Sequence, residues 1–170
     1  MKTVKITIIS LIILTVFFFG TGLIIKESNY TSTITINEPL EKTFATFTDF
    51  STILAWNPEY DTIDVVELKP GITGSIYDIK VVHNNQTTVI REKVLAYVRN
   101  EKFTLYIDKE GVVERDDYTF ISDGSHTTIN LSSSFQAKSY LLSCVLPFFK
   151  LKFKRIDEVF LNNFKTFVEK

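Results

Sequence analysis

Acid–base, nucleophilic and metal chemistry each need particular side chains held together, and this chain offers few of them. His83 and His126 are its two histidines, and both fall in or beside turn-like stretches, where no water-excluded pocket would hold a general base. Cys144 is the single cysteine, which excludes an intrachain disulfide and a multi-cysteine metal site. The histidines also lack the spacing of a metal-binding helix, so no metal and no cofactor is expected. Asp116 and Asp117 are neighbours in an alternating stretch and must point to opposite faces, so they cannot act together as a paired acid and base. Arg91, Glu92 and Lys93 are consecutive in the same way. If Arg91 or Glu92 faced inward it could pair with a ligand's carboxylate or hydroxyl, but a solvated face is the simpler reading, and no catalytic residue is assigned.

What the chain has in quantity is aromatic surface, with 15 Phe, 7 Tyr and one Trp. Binding pockets are concave, mostly apolar and furnished with a few polar groups that fix orientation. Ten residues are candidates to line one: Trp56 near the mouth, Tyr77, Tyr97, Phe103, Tyr106, Tyr118, Phe120 and Phe135 on strands, and Phe149 and Phe153 on a helix. The competing reading for each is that it fills a core.

The element that must position these residues is the last stretch, Ser139 to Lys170. An α-helix turns about 100° per residue, so Phe149, Phe153, Ile156, Phe160, Phe164 and Phe167 share an arc of roughly 80°. Polar residues, Asp157 among them, take the remaining circumference. Such a helix lays its stripe on a sheet, with Phe149 and Phe153 toward any cavity and Phe160, Phe164 and Phe167 packing the core. Pro147 breaks it about two turns in, which predicts a kink or a late start and leaves the preceding segment free to act as a gate.

The sheet is legible upstream. Ser32 to Asn37 alternates as a first strand, Pro39 opens a short helix carrying Phe44 and Phe47, and Ser51 to Trp56 is a second helical stretch. The period then changes to two, with strands near Thr62–Leu68, Gly74–His83, Gln86–Tyr97, Lys102–Asp108, Val112–Ile121 and His126–Phe135. The breaks between them are short and rich in Gly, Asn, Asp and Ser, so neighbouring strands pair antiparallel. The fold class is therefore α+β: a seven-stranded curved antiparallel sheet around a long C-terminal helix, with two short helices between strands 1 and 2.

Ahead of this domain, the twenty residues Ile6 to Ile25 carry no charge. A helix of that length spans roughly 30 Å, the hydrocarbon thickness of a bilayer. A cleaved signal peptide would have a shorter apolar core and a small-residue cleavage site, whereas Gly20-Thr21-Gly22 is followed by Leu23-Ile24-Ile25. The organisation is read as a transmembrane anchor over 1–26, a short linker over 27–31 and one domain over 32–170. Lys2 and Lys5 make the short N-terminal flank positive and favour that end in the cytoplasm, placing the domain on the outer side. Lys150, Lys152, Lys154 and Arg155 are either the wet side of the helix or contacts for anionic headgroups. The apolar run from Leu141 to Phe149 before them is able to dip into the interface. The formal net charge of −1 gives no footprint for nucleic acid.

The run Ile34-Thr35-Ile36-Asn37-Glu38-Pro39-Leu40-Glu41-Lys42-Thr43-Phe44, the Asp49-Phe50 step and Trp56-Asn57-Pro58 resemble the START-like superfamily of SRPBCC proteins. That superfamily includes polyketide cyclase/dehydrase-type and Bet v 1-like helix-grip domains. Phe164-Lys165-Thr166-Phe167-Val168-Glu169 is similar to the end of its long helix, and the resemblance covers about Ser32 to Lys170. It implies a deep apolar cavity between curved sheet and terminal helix, used for lipids, sterols, polyketides or other hydrophobic molecules. The expectation is a membrane-anchored binding module for such a ligand. The alternatives are a cyclase/dehydrase-like enzyme, which would need an acid or base inside the cavity, and an envelope interaction domain without a ligand.

Overall fold

The structure, a computed structural model, describes residues 2–83 and 86–170. The side chain of His83, read from the sequence as a turn residue, lies outside the described residues. In chain order the elements are α1 (Lys2–Ile24), β1 (Ser28–Ile36), α2 (Leu40–Thr48), α3 (Phe50–Trp56), β2 (Tyr60–Glu67), β3 (Ile76–His83), β4 (Gln86–Val98), β5 (Lys102–Lys109), β6 (Val112–Ser122), β7 (Thr127–Ala137), α4 (Tyr140–Val145) and α5 (Lys150–Val168), with a 3-10 turn at Leu146–Phe149 between the last two. The strands form one antiparallel sheet in the order β1-β7-β6-β5-β4-β3-β2. β1 and β2 thus lie at opposite edges, and α2 and α3 carry the chain between them.

β1 starts at Ser28, so four of the five residues expected to form a linker are strand. Ser28 pairs with Phe135 and Tyr30 with Ser133, and the buried Tyr30 side chain makes this end of the strand part of the domain. Bulges interrupt β2 twice and β4 once, between Val94 and Ala96. The β4 bulge shifts the alternation by one residue: Ile90, Glu92 and Val94 face inward, and beyond the bulge Tyr97 does so too.

The C-terminal stretch is not one helix. Pro147 lies within the 3-10 turn, where its missing N–H is not required, and α5 starts at Lys150. The buried face of α5 is rotated from the arc read in the sequence. Its most buried residues are Leu161, Phe164 and Val168, centred roughly 90° round the wheel from Phe149. Asp157 falls inside that face, whereas Phe149 and Ile156 remain 43% and 47% exposed.

The core has two parts. The larger joins α2, α3 and the C-terminal half of α5 to the sheet, with Phe47 at its centre. Its ring lies 4.9 Å from those of Phe164 and Tyr118 and 5.4 Å from that of Phe120. The smaller gathers Tyr30, Val112, Phe135 and Leu146 beneath α4, with Phe153 stacked on Phe135 at 4.6 Å.

α1 is long and apolar enough to cross a membrane and is almost wholly exposed within the protein itself. Its last turns rest on α4. Tyr140 donates to the Phe19 carbonyl at 2.7 Å and Thr21 to the Cys144 carbonyl at 3.0 Å. A Cβ on Gly22 would sit 2.5 Å from the Cys144 sulfur, so the missing side chain is what permits this close approach.

Candidate functional site

Between the N-terminal half of α5 and strands β2 to β6 the sheet and helix do not meet, leaving a cavity of about 750 Å³. Phe47, Phe50 and Ile53 close one end. Val81, Ile90, Leu105 and Ile107 form the sheet side, and Phe153 and Phe160 the helix side. Ile156 and Val159, both about half exposed, line the rim with Pro58, Thr88, Glu110, Lys152 and Arg155. This volume lies within the range of small-molecule sites.

The remaining wall is ionisable. Inward positions of β6 run Glu114, Asp116, Tyr118, Phe120, so the alternation that buries Tyr118 buries two carboxylates as well. The adjacent inward position on β4 is Glu92, opposite Ile107 of β5, and α5 contributes Asp157. Tyr60 donates to Glu92 at 3.1 Å. The single hydroxyl proton of Tyr30 faces Asp157 at 2.5 Å and Glu114 at 3.2 Å. Glu114 also accepts from Ser133 at 3.2 Å and is ion-paired with Lys109, whose ammonium stands 5.9 Å from the centre of the Phe153 ring. Asp116 is incompletely satisfied: Tyr118 at 3.4 Å reaches one oxygen, the Ser133 hydroxyl opposite it on β7 favours its charged form, and Oδ1 is buried without a hydrogen bond.

Electrostatics follow from this placement. Burial pushes the Glu92 carboxyl up to about 7, against the lowering effects of the Tyr60 hydrogen bond and of Lys109. Burial, then the Glu114 charge, lift Asp157 to about 7. Asp116 is raised well above the usual carboxylate range by burial and by the charges of Glu114 and Asp157. Desolvation lowers Lys109, but the Glu114, Asp116 and Asp157 carboxylates together outweigh it and the net shift is upward. The pocket therefore holds groups that exchange protons near neutral pH beside an apolar surface.

The family described as polyketide cyclase/dehydrase and lipid transport matches residues 28–169. The chain belongs to this polyketide cyclase/dehydrase and lipid transport family. No curated protein matches it. Among solved structures, an aromatase/cyclase of a Streptomyces species is similar with a TM-score of 0.71 at 12% identity, covering 84% of this chain and 94% of that one. A START superfamily protein from Mycobacterium smegmatis gives 0.68 at 14% identity, over 83% and 97%. Norcoclaurine synthase from Thalictrum flavum, in complex with dopamine and hydroxybenzaldehyde, gives 0.64 at 12%, over 84% and 86%. At these identities the likeness concerns the fold, the helix-grip arrangement expected from the sequence.

Within this cyclase/dehydrase and lipid transport domain, Tyr118 and Phe153 are the two of the ten aromatic candidates that line the cavity. Trp56, Tyr77, Tyr97, Phe103 and Phe120 belong to the larger core cluster, and Phe135 to the smaller. Tyr77 is stacked on Phe50 at 3.9 Å. Tyr106 alternates with the inward Leu105 and Ile107 and so faces outward, 37% exposed. Phe149 lies on the surface, outside the cavity.

The solvated reading of Glu92 is overturned: it is 2% exposed and faces the cavity, while Arg91 pairs with Asp78 on the outer face at 2.7 Å. Asp116 and Asp117 do take opposite faces, Asp117 joining Thr104, Lys102 and Arg115 outside. The inner acids escaped the sequence reading although the signal was present. Glu92 is two residues from both Ile90 and Val94, and Asp116 two from Tyr118. His126 is half-buried in the β6–β7 turn, away from the cavity, with its ring nitrogen 2.8 Å from Ser125.

Proposed function

We propose that this chain is a membrane-tethered binding domain for a hydrophobic small molecule, held in the cavity between the sheet and α5. The observation that carries the reading is the cavity itself, since the C-terminal half of the same helix packs tightly through Phe164 while its N-terminal half leaves this space with an aliphatic wall of Val81, Ile90, Leu105 and Ile107. Family membership is consistent with a hydrophobic ligand.

The tether is α1, spanning the bilayer with its N-terminus in the cytoplasm and the domain, from β1 to α5, on the outer side. Its hydrogen bonds to α4 would hold the domain close against the lipid. Leu141, Phe148 and Leu151 are 65%, 62% and 78% exposed beside that junction. They would enter the interface while Lys150, Lys152, Lys154 and Arg155 meet headgroups.

A second reading, acid–base catalysis of the cyclase/dehydrase kind, draws on Glu92 and Asp157, two cavity carboxyls held near neutral pH. The binding step is common to both readings. To test it, the full chain is isolated from salt-washed membranes and released into native mass spectrometry. A discrete small-molecule adduct is expected on the wild type and not on Ile90→Trp, which fills the cavity. Recovery of the chain in the soluble fraction would overturn the tether, and identical spectra for the two proteins would overturn the cavity as the binding site.

A further inference from the structure

The polar wall contains more negative charge than its own cation can neutralise. Glu92, Asp116 and Asp157 at the cavity, and Glu114 buried behind them, share one buried-side ammonium, Lys109, which is already engaged by Glu114. The remaining charges at the cavity, Lys152 and Arg155 on α5 and Glu59 and Glu110 opposite, lie on its exposed rim and balance one another. One carboxylate oxygen from each of Glu114, Asp116 and Asp157 lies within 4.8 Å of the other two. Tyr30 has one proton to share between Glu114 and Asp157.

Asp116 supplies the independent observation. It is 3% exposed, lines the cavity, and its Oδ1 has no hydrogen-bond partner. A buried carboxylate oxygen left unpaired is destabilising, so an arrangement that retains it is complete only when a donor arrives. Three acceptor oxygens at this spacing match the three N–H donors of a primary ammonium. Lys109 already shows Glu114 taking such a group.

We propose that the cavity takes an amphipathic amine, its ammonium bound by Glu114, Asp116 and Asp157 and its apolar body against Ile90, Leu105, Ile107 and Phe160. This deepens the reading of the cavity as a hydrophobic binding site and rests on it. The amine is favoured over a bare metal ion because Asp116 and Asp157 open onto about 750 Å³ of mostly apolar space, which a small ion would leave unfilled. Without a cation the site is neutralised by protons, in keeping with the upward displacement of Asp116 and Asp157.

The test uses the full chain in nanodiscs of zwitterionic lipid and three matched probes, naphthylethylamine, naphthylethanol and naphthylacetate, with calorimetry corrected against empty nanodiscs. The amine is expected to bind about tenfold or more tightly than the alcohol, and the carboxylate most weakly, because charge-assisted hydrogen bonds exceed neutral ones. Asp116→Asn is expected to bring the amine-to-alcohol ratio close to one. Asp157→Asn gives the same readout from the helix side should the β6 variant fold poorly. Equal binding of amine and alcohol by the wild type, or a ratio unchanged in both variants, would overturn the ammonium site and leave the hydrophobic cavity standing. Binding of none of the three probes would overturn both. Stabilisation by magnesium or calcium with no preference for the amine would reassign the carboxylates to a metal.

Discussion

At its C-terminal half, α5 meets the sheet ring against ring: Phe164 lies 4.9 Å from Phe47 and 5.2 Å from Trp56, and Phe44 packs on Phe120 at 4.9 Å. At its N-terminal half, the same helix faces the same sheet across a cavity, with Asp157 and Glu92 at inward positions. The difference lies in side-chain size and in α2 and α3. Those two helices deliver Phe44, Phe47 and Trp56 into one half, whereas the other receives aliphatic residues and carboxylates too small to bridge the gap. One continuous scaffold thus yields a rigid end that sets the helix position and an open end that the rigid end holds apart. Close packing makes the first intolerant of volume change, and the second is tolerant because it is not packed.

The largest expected effect separates two residues of α5. Phe164→Ala, at a fully buried site against the rings of Phe47 and Trp56, is expected to cost about 3–5 kcal/mol in denaturant unfolding. Ile156→Ala on the cavity rim should change stability by no more than about 0.5 kcal/mol while weakening ligand retention. Similar losses from both would break the distinction.

A smaller effect, of opposite sign, comes from the polar wall. Glu92 is held up at about 7, above its ordinary value of 4.5. Because the folded state binds this proton more tightly, the stability it contributes is fully present below the unfolded value and is lost as pH rises through about 7. Glu92→Gln keeps an acceptor for Tyr60 and removes the buried charge. It should therefore stabilise the protein by on the order of 2–3 kcal/mol near pH 8 and by little near pH 4 to 5. A gain independent of pH, measured by thermal unfolding across that range, would contradict a titrating Glu92.

The two halves were unequally legible. Strand alternation and turn residues revealed seven strands, their antiparallel order and the long helix, since these depend on local pattern. The inward placement of Tyr77, Phe103, Phe120 and Phe135 followed from the same pattern but their role did not, since an inward ring serves a cavity wall or a core equally well and these four, offered as cavity candidates, fill the core. The hollow half did not follow either, because emptiness is a property of what several elements together fail to fill. Polarity at Glu92 and Asp157 was read as solvation, although the spacing of Glu92 from Ile90 and Val94 put it inside. The β4 bulge then offset the alternation at Tyr97, and the rotation of α5 about its axis, fixed by Leu161 and Val168, left Phe149 outside.

The contrast is tested most directly by adding the same bulk to each half. Ile90 lines the cavity, while Ile129 on β7 is fully buried in the filled core. Unfolding free energies of Ile90→Trp and Ile129→Trp should differ clearly, the first close to wild type and the second lower by about 1–3 kcal/mol or more, as overpacking a closed interior requires. Equal destabilisation by the two would mean that the space beside Ile90 is already filled, and with it the cavity and the site built on it would be refuted.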